Sequence, residues 1–329
     1  MMERDTTSHD QIFKDILRAF FHEFLTLFLP LIAASIDPDD VVFLDPQTFT
    51  DVPQGRSRTA DVVARIHPLS ADDEPEAVLF HVEVQSQPDP TLDARVWEYN
   101  AGLRQRHGQR AISAALLPFG SVAGARGVAK VRYVETLFGE DYTLLEYWRI
   151  GLRNLAADTY VATGSPLAVA LAALMRPQPG PEGRANLKIA IVRRLRDSGL
   201  DDARLFLLVN LVETYLVLDA GEEAVLRARL RAEGGDDVEA TELTWADRMM
   251  QRGREQGIAQ GREQGIAQGI AQGILDTKRE MTANLLRARF GAIPAALEAC
   301  LGAADMATLD ALFERAATAS SAAEMLSDS

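Results

Sequence analysis

The sequence predicts an α/β amino-terminal region, a mixed sheet flanked by helices, followed by an all-α carboxy-terminal half. Three observations lead to this fold class. Short runs rich in β-branched residues alternate with helical patterns over the first 120 residues. From about residue 165 onward, apolar residues recur mainly at helical spacings. The chain has 329 residues, of which 47% are hydrophobic, enough for two or three units with real cores.

The amino-terminal elements follow in order. Over residues 10–36, Ile12, Ile16 and Phe20 recur at three- and four-residue spacings, which predicts a helix that Pro30 ends or bends. Four strands and one further helix are predicted after it: strands at 41–44, 59–66, 77–85 and 111–117, and a helix at 91–107. We therefore expect one sheet-containing domain over residues 1–150.

The carboxy-terminal region divides into three parts. Residues 151–250 predict a helical subdomain, and residues 279–329 a small helical hairpin domain. Between them, over 251–278, an eight-residue repeat places glycine at every fourth position from 253 to 273. On a helix this spacing forms a ridge without side chains, whereas each glycine costs about 0.8–1 kcal/mol of helix stability. Two interpretations stay open: a loosely helical linker, or a helix that forms a homo-oligomer through 253–274.

Composition and charge exclude several classes of protein. The net charge of −14 argues against binding nucleic acid by bulk attraction, so any contact with DNA requires a local basic patch. Cys300 is the single cysteine, which excludes an intrachain disulfide and favours the reducing cytoplasm. The apolar run at 24–36 contains Pro30 and is shorter than the roughly 20 residues that span a bilayer. We expect a cytoplasmic protein without a membrane segment.

The strand at 77–85 carries the most informative polar residues. Side chains alternate along a strand, so His81, Glu83 and Gln85 share one face while the other face is wholly apolar. Asp61 opens the neighbouring strand and is expected close to Glu83. Two carboxylates suit Mg²⁺, with Mn²⁺ or Ca²⁺ as alternatives, and Gln85 would orient a water or a phosphate oxygen. The competing interpretation is that these residues are simply the solvated face of an amphipathic strand.

Several segments together resemble a known family. Asp10–Lys14, the Asp61 strand, His81–Gln87 and Arg95–Tyr99 resemble the recombination-promoting nuclease (Rpn) family, transposase-like proteins of the PD-(D/E)XK nuclease superfamily. The resemblance is close over residues 5–150 and looser to about 250. The glycine repeat and the hairpin at 280–327 are similar to a small domain of unknown function that often accompanies this family.

The resemblance implies a PD-(D/E)XK-like sheet and a metal-dependent DNA endonuclease that promotes DNA recombination. Asp61, Glu83 and Gln85 match the core motif of the family, in which lysine is commoner at the last position. An amide holds water but supplies no positive charge. Asp10 matches a further acidic ligand of some nucleases with this fold, although an aspartate at a helix start is also a good cap. Lys14 lies one turn later and is either a phosphate contact or a solvated lysine.

A basic cluster is the candidate DNA contact. It consists of Arg95, Arg104, Arg106, His107 and Arg110, of which the four arginines are the predicted DNA contacts. Arginines contact phosphates without reading sequence, but Asp93 and Glu98 in the same helix offer them intramolecular partners. His81 is either a structural histidine or a group that assists Glu83.

The alternative function is that of a binding protein and not of an enzyme. The same fold without catalytic activity would be a DNA- or protein-binding adaptor, and a nuclease assay with and without Mg²⁺ or Mn²⁺ separates the two.

Overall fold

A six-stranded mixed sheet flanked by helices forms the centre of the first part of the chain. The computed structural model describes the backbone of residues 6–44, 48–50, 57–59, 61–69, 77–124, 126–180 and 182–319. The chain divides into two compact units, Met1–Gly253 and Arg254–Ser329.

The sheet elements of the first unit alternate with helices. Three helices come first: α1 (Thr6–Ala19), α2 (Phe21–Phe28) and α3 (Pro30–Ala33). The strands and the helix among them are β1 (Ile36–Phe43), β2 (Thr48–Thr50), β3 (Ser57–Thr59), β4 (Val62–Pro68), β5 (Val78–Val84), α4 (Leu92–His107), β6 (Arg110–Leu117), β7 (Val128–Leu137) and β8 (Glu140–Gly151). The predicted helix over 10–36 is therefore broken at Phe20 and Leu29, and the first strand begins at Ile36 rather than at 41.

The main sheet has the strand order β1-β4-β5-β6-β8-β7, and β2 and β3 form a separate two-stranded ribbon. Strand β5 pairs antiparallel with β4 and parallel with β6, so α4 is the crossover between two parallel strands. Both faces are covered. Phe80 and Val82 of β5 pack in a core with α1 and α2, whereas Leu79 packs with Tyr99 and Leu103 of α4.

The β7–β8 hairpin is absent from the sequence prediction, which places no strand after Leu117. Its two-residue loop consists of Phe138 and Gly139, both with positive φ (55° and 81°). Such a turn usually contains Asn-Gly or Asp-Gly, so a phenylalanine at the first position conceals the turn in the sequence. The hairpin completes the sheet because β8 pairs parallel with β6.

Beyond β8 the described elements are helical. They are α5 (Ala157–Val161), α6 (Pro166–Leu171) with a 3₁₀ turn after it (Ala172–Leu174), α7 (Gly183–Arg196), α8 (Asp202–Tyr215), α9 (Ala220–Phe290), α10 (Ala295–Ala303) and α11 (Met306–Thr318). The glycine repeat lies entirely within α9. In the second unit, Leu286, Leu297 and Leu309 are buried in one cluster formed by the last turns of α9 with α10 and α11. Among the described residues, no helix has the length and apolarity needed to cross a membrane.

Candidate active site

The two carboxylates predicted as metal ligands come together at one end of the sheet. Val62 pairs with Val82 and Val63 with His81 in the antiparallel ladder. One further step of this register places Asp61 opposite Glu83, and residues directly opposite share a face of the sheet. Glu83 is the next-to-last residue of β5, and Asp61 immediately precedes β4. The structure therefore places this predicted pair as neighbours.

Each carboxylate oxygen of Asp61 has a partner. Its Oδ2 accepts a hydrogen bond from the Val84 backbone N–H at 2.8 Å, and Lys14 Nζ on α1 lies 2.8 Å from Oδ1. Its side chain is only 11% exposed. Burial and the negative charge of Glu83 raise the pKa of Asp61 above its ordinary value, against the hydrogen bonds from Lys14 and Val84, which lower it.

Glu83 is more deeply buried and only half satisfied. Arg95 Nε of α4 lies 2.8 Å from Glu83 Oε1. The other oxygen, Oε2, is buried and has no hydrogen-bond partner among the described residues; the nearest ring nitrogen, His81 Nε2, is 3.5 Å away. His81 Nε2 likewise has no hydrogen-bond partner among the described residues. Because an unpaired buried carboxylate oxygen is costly, Oε2 is the atom of this site best placed to accept a ligand.

His81 lies behind Glu83 in a buried polar chain. Asn100 Nδ2 donates hydrogen bonds to the Ala111 carbonyl at 3.1 Å and to Ser113 Oγ at 3.0 Å. Ser113 Oγ also lies 3.3 Å from His81 Nδ1, and the other ring nitrogen, Nε2, faces Glu83. The ring of His81 is fully buried, edge-on against Tyr99. This arrangement favours the structural role of His81 and makes it a positioning residue for Glu83.

Gln85 and Arg95 form the outer part of the site. Arg95 Nη2 donates to the Gln85 amide oxygen, and Arg95 Nη1 lies 2.7 Å from Asp89 Oδ2. The Gln85 side chain also donates to the Gln87 carbonyl. Arg95 is therefore occupied by Glu83, Gln85 and Asp89, as an internal bridge between α4 and the end of β5.

The other predicted basic residues lie elsewhere. Arg110 begins β6 and pairs with Val78, six residues from the Val84 end of β5, a separation of about 20 Å along the strands. Arg104 and Arg106 belong to the last turn of α4, which comes just before Arg110 in the chain and so lies near the Arg110 end of β6. The structure does not bring these three arginines together with Asp61 and Glu83. Asp10 lies on α1 one turn before Lys14, and its side chain is outside the described residues.

Sequence analysis missed a basic residue close to the site. Arg149 of β8 lines a cavity of about 460 Å³ together with Gln85 and Asp89. Its Nε donates to the Tyr147 hydroxyl at 2.8 Å, and both side chains contact Asp93 of α4. The run of aromatic and β-branched residues from Tyr142 to Ile150 was the available signal, hidden because the hairpin turn was not recognised.

Comparison with protein families, with curated proteins and with solved structures gives no match. Within the described part of the chain, no group of three or more His, Cys, Asp and Glu side chains is arranged to hold a metal ion. The arguments about function therefore depend on the local chemistry of the Asp61–Glu83 end of the sheet.

Proposed function

We propose that the protein is a divalent-cation-dependent DNA endonuclease of the PD-(D/E)XK type, akin to the Rpn nucleases and acting in DNA recombination. The observation that supports this most directly is a buried acidic pair, Asp61 and Glu83, in which Glu83 Oε2 has no hydrogen-bond partner among the described residues. Two buried carboxylates side by side repel each other, and a fold keeps such a pair chiefly for a function.

The residues present fit a hard cation. Mg²⁺ is usually held by one or two carboxylates, with waters and substrate phosphates completing its shell, so Asp61 and Glu83 are a sufficient protein contribution. The free Glu83 oxygen and the raised pKa of Asp61 are what a dicationic ligand would relieve. Once bound, such a cation polarises the scissile phosphate and lowers the pKa of a bound water.

The chain's own residues divide the remaining tasks. Lys14 supplies beside Asp61 the positive charge that Gln85 does not carry. Arg95 pairs with one oxygen of Glu83, and the buried His81 ring lies 3.5 Å from the other, so that the carboxylate is confined before substrate arrives. Gln85 borders the adjoining cavity; its oxygen accepts from Arg95 and one N–H donates to the Gln87 carbonyl, so the second N–H is the group that would hold a water or a phosphate oxygen at the rim.

A plasmid-nicking assay with Mg²⁺, Mn²⁺, Ca²⁺ or EDTA tests the proposal. We expect Mg²⁺- or Mn²⁺-dependent nicking by the parent protein and a loss of at least about 100-fold in Asp61→Asn and Glu83→Gln. The matched control is Glu140→Gln, an exposed carboxylate at the start of β8. Far-UV circular dichroism checks that each variant is folded. Equal nicking by Glu83→Gln and Glu140→Gln would refute the site.

A specific observation favours the adaptor as the second candidate. Glu83 is already neutralised by Arg95, and the Gln85 oxygen is engaged by the same guanidinium. A site whose acidic groups are internally paired can bind DNA without hydrolysing it. The protein is an adaptor if the parent binds DNA but does not nick it with any of the three cations, and if Arg95→Ala does not nick DNA either.

A further inference from the structure

A groove lined by arginines leads away from the candidate active site within the first unit. The cavity beside Gln85 is adjoined by a second cavity of about 630 Å³, and Phe119 and Arg153 line both. Because Phe119 and Arg153 border both, the two cavities adjoin on one stretch of the surface. We call it the arginine groove, defined by Gln85, Phe119, Arg149, Arg153, Arg176 and Arg184.

Two of these arginines have no ion-pair partner among the described residues, although the first cavity is also lined by Asp89, which pairs with Arg95. Arg149 is paired with Asp93, and Arg184 with Glu222. Arg153 and Arg176 are exposed, and neither has an ion-pair partner among the described residues. The charged residues lining the second cavity are all arginines: Arg153, Arg176 and Arg184. In a chain of net charge −14, this is a local basic surface of the kind that a polyanion requires.

An exposed aromatic ring lies where the two cavities join. Phe119, directly after Pro118 at the end of β6, is 37% exposed, and Tyr215 of α8 packs edge-to-face against it at 5.3 Å between ring centroids. The contact with Tyr215 holds the Phe119 ring in place. Fixed aromatic rings beside positive charges are the usual surface for single-stranded nucleic acid, since every unpaired base offers a face for stacking.

We propose that the arginine groove binds a single strand of DNA that extends from the candidate active site. Arg153 and Arg176 contact successive phosphates, and Phe119 stacks on one unpaired base. This assignment deepens the proposed function and depends on it for the choice of DNA as the polyanion. A single strand is favoured over a duplex because paired bases would offer Phe119 no free face.

Binding, measured separately from cleavage, tests the proposal. The full chain carrying Glu83→Gln is titrated into a fluorescent single-stranded oligonucleotide and into its duplex, in EDTA, with anisotropy as the readout. We expect the double variant Arg153→Ala/Arg176→Ala to bind the single strand at least about tenfold more weakly at low salt. Its slope of log K against log salt should be shallower by about 1.4, the value for two lost phosphate contacts.

The control removes equal charge elsewhere. Arg132→Ala/Arg194→Ala changes two exposed arginines outside the groove and should change single-strand affinity by less than about twofold, as expected for charges outside the contact. Phe119→Ala should weaken binding of the single strand about tenfold and leave the affinity for the duplex unchanged, since stacking is worth about 1–3 kcal/mol per base. Equal losses in the two arginine double variants, or no effect of Phe119→Ala on the single strand, would overturn the proposal.

Failure of the groove and failure of the nuclease are distinguishable. If nicking depends on Asp61 and Glu83 but Arg153→Ala/Arg176→Ala binds the single strand as the parent does, the groove proposal is wrong and the nuclease proposal is supported. If that variant binds the single strand more weakly but the parent protein never nicks DNA, the groove proposal is supported and the nuclease proposal is wrong.

Discussion

Lys14 Nζ lies 2.8 Å from Asp61 Oδ1, so the first helix delivers a positive charge directly to the acidic end of the sheet. The polar position directly after β5 is Gln85, whose amide carries no charge. In the proposed nuclease, Lys14 and Gln85 would together supply the positive charge and the polar group that a lysine on the strand would otherwise combine.

Removing the charge of Lys14 should slow nicking and alter its pH dependence. We expect Lys14→Met to lower kcat about 10²–10³-fold, the usual cost of losing one group that stabilises developing charge. Lys14 also lowers the pKa of Asp61, so its loss should raise that pKa further and move the acid limb of the pH–rate profile to higher pH. Nicking rates measured between pH 5 and 9 check both effects.

Lys130→Met is the control for that variant. Lys130 forms a comparable ion pair, 2.9 Å from Glu146, on the exposed surface of β7 and β8. Its removal should leave both the rate and the pH profile unchanged. A pH profile of Lys14→Met that coincides with that of the parent would show that Lys14 does not act on Asp61.

The site was predictable where adjacent strands decide the geometry, and not where distant elements meet. Asp61 and Glu83 belong to consecutive strands, so pattern and register suffice to bring them together. The partner of Lys14 was not predictable, because a helix position alone does not reveal which end of the sheet the side chain reaches. Arg149 and Arg153 were missed because Phe138, at positive φ, hides the turn that creates β8.

The raised pKa of Asp61 predicts a pH-dependent stability effect with a definite sign. Between its ordinary value and the raised value, the folded state binds more protons than the unfolded state, so stability falls as pH rises through this window. Asp61→Asn removes this cost and keeps an oxygen for the Val84 N–H. We expect a higher Tm than the parent at pH 7.5 and a smaller difference at pH 4.5, measured by calorimetry.

Asp89 provides the opposite case. Hydrogen bonds from the Thr91 hydroxyl and backbone lower its pKa, so its contribution to stability is present above its ordinary value and is lost as pH falls. Asp89→Asn should therefore have a lower Tm than the parent at pH 7.5 and approach it at acid pH. Shifts of the same sign in both variants would contradict the assignment for Asp61.

Two glycines of α9 should respond oppositely to alanine. A Cβ at Gly253 would lie 1.9 Å from the Phe206 ring of α8, whereas a Cβ at Gly273 would meet nothing within 4 Å among the described residues. We expect Gly253→Ala to destabilise the protein by about 1–3 kcal/mol through overpacking. Gly273→Ala should stabilise its helix by about 0.8–1 kcal/mol. Urea unfolding measures both, and equal effects would show that Phe206 yields to the new methyl group.

Self-association through the glycine repeat remains a prediction with a supporting observation. Ile270 and Ile274 lie one turn apart on α9 and are 58% and 55% exposed. Two large apolar side chains on one side of a helix, beside the open backbone of Gly273, suit contact with a second copy of the helix. We expect the parent to have a multiple of the 36.0 kDa chain mass by light scattering, and Ile270→Lys/Ile274→Lys to have the single-chain mass.

The control for this variant is Val217→Lys. Val217 is 58% exposed just after α8, outside the repeat, so a lysine there adds the same kind of charge without touching the proposed contact. It should keep the mass of the parent, since burying two lysines against a second helix is costly only where the copies meet. A parent that already has the single-chain mass, or a double variant that keeps the oligomer, would show that the repeat serves as a linker helix and not as an association surface.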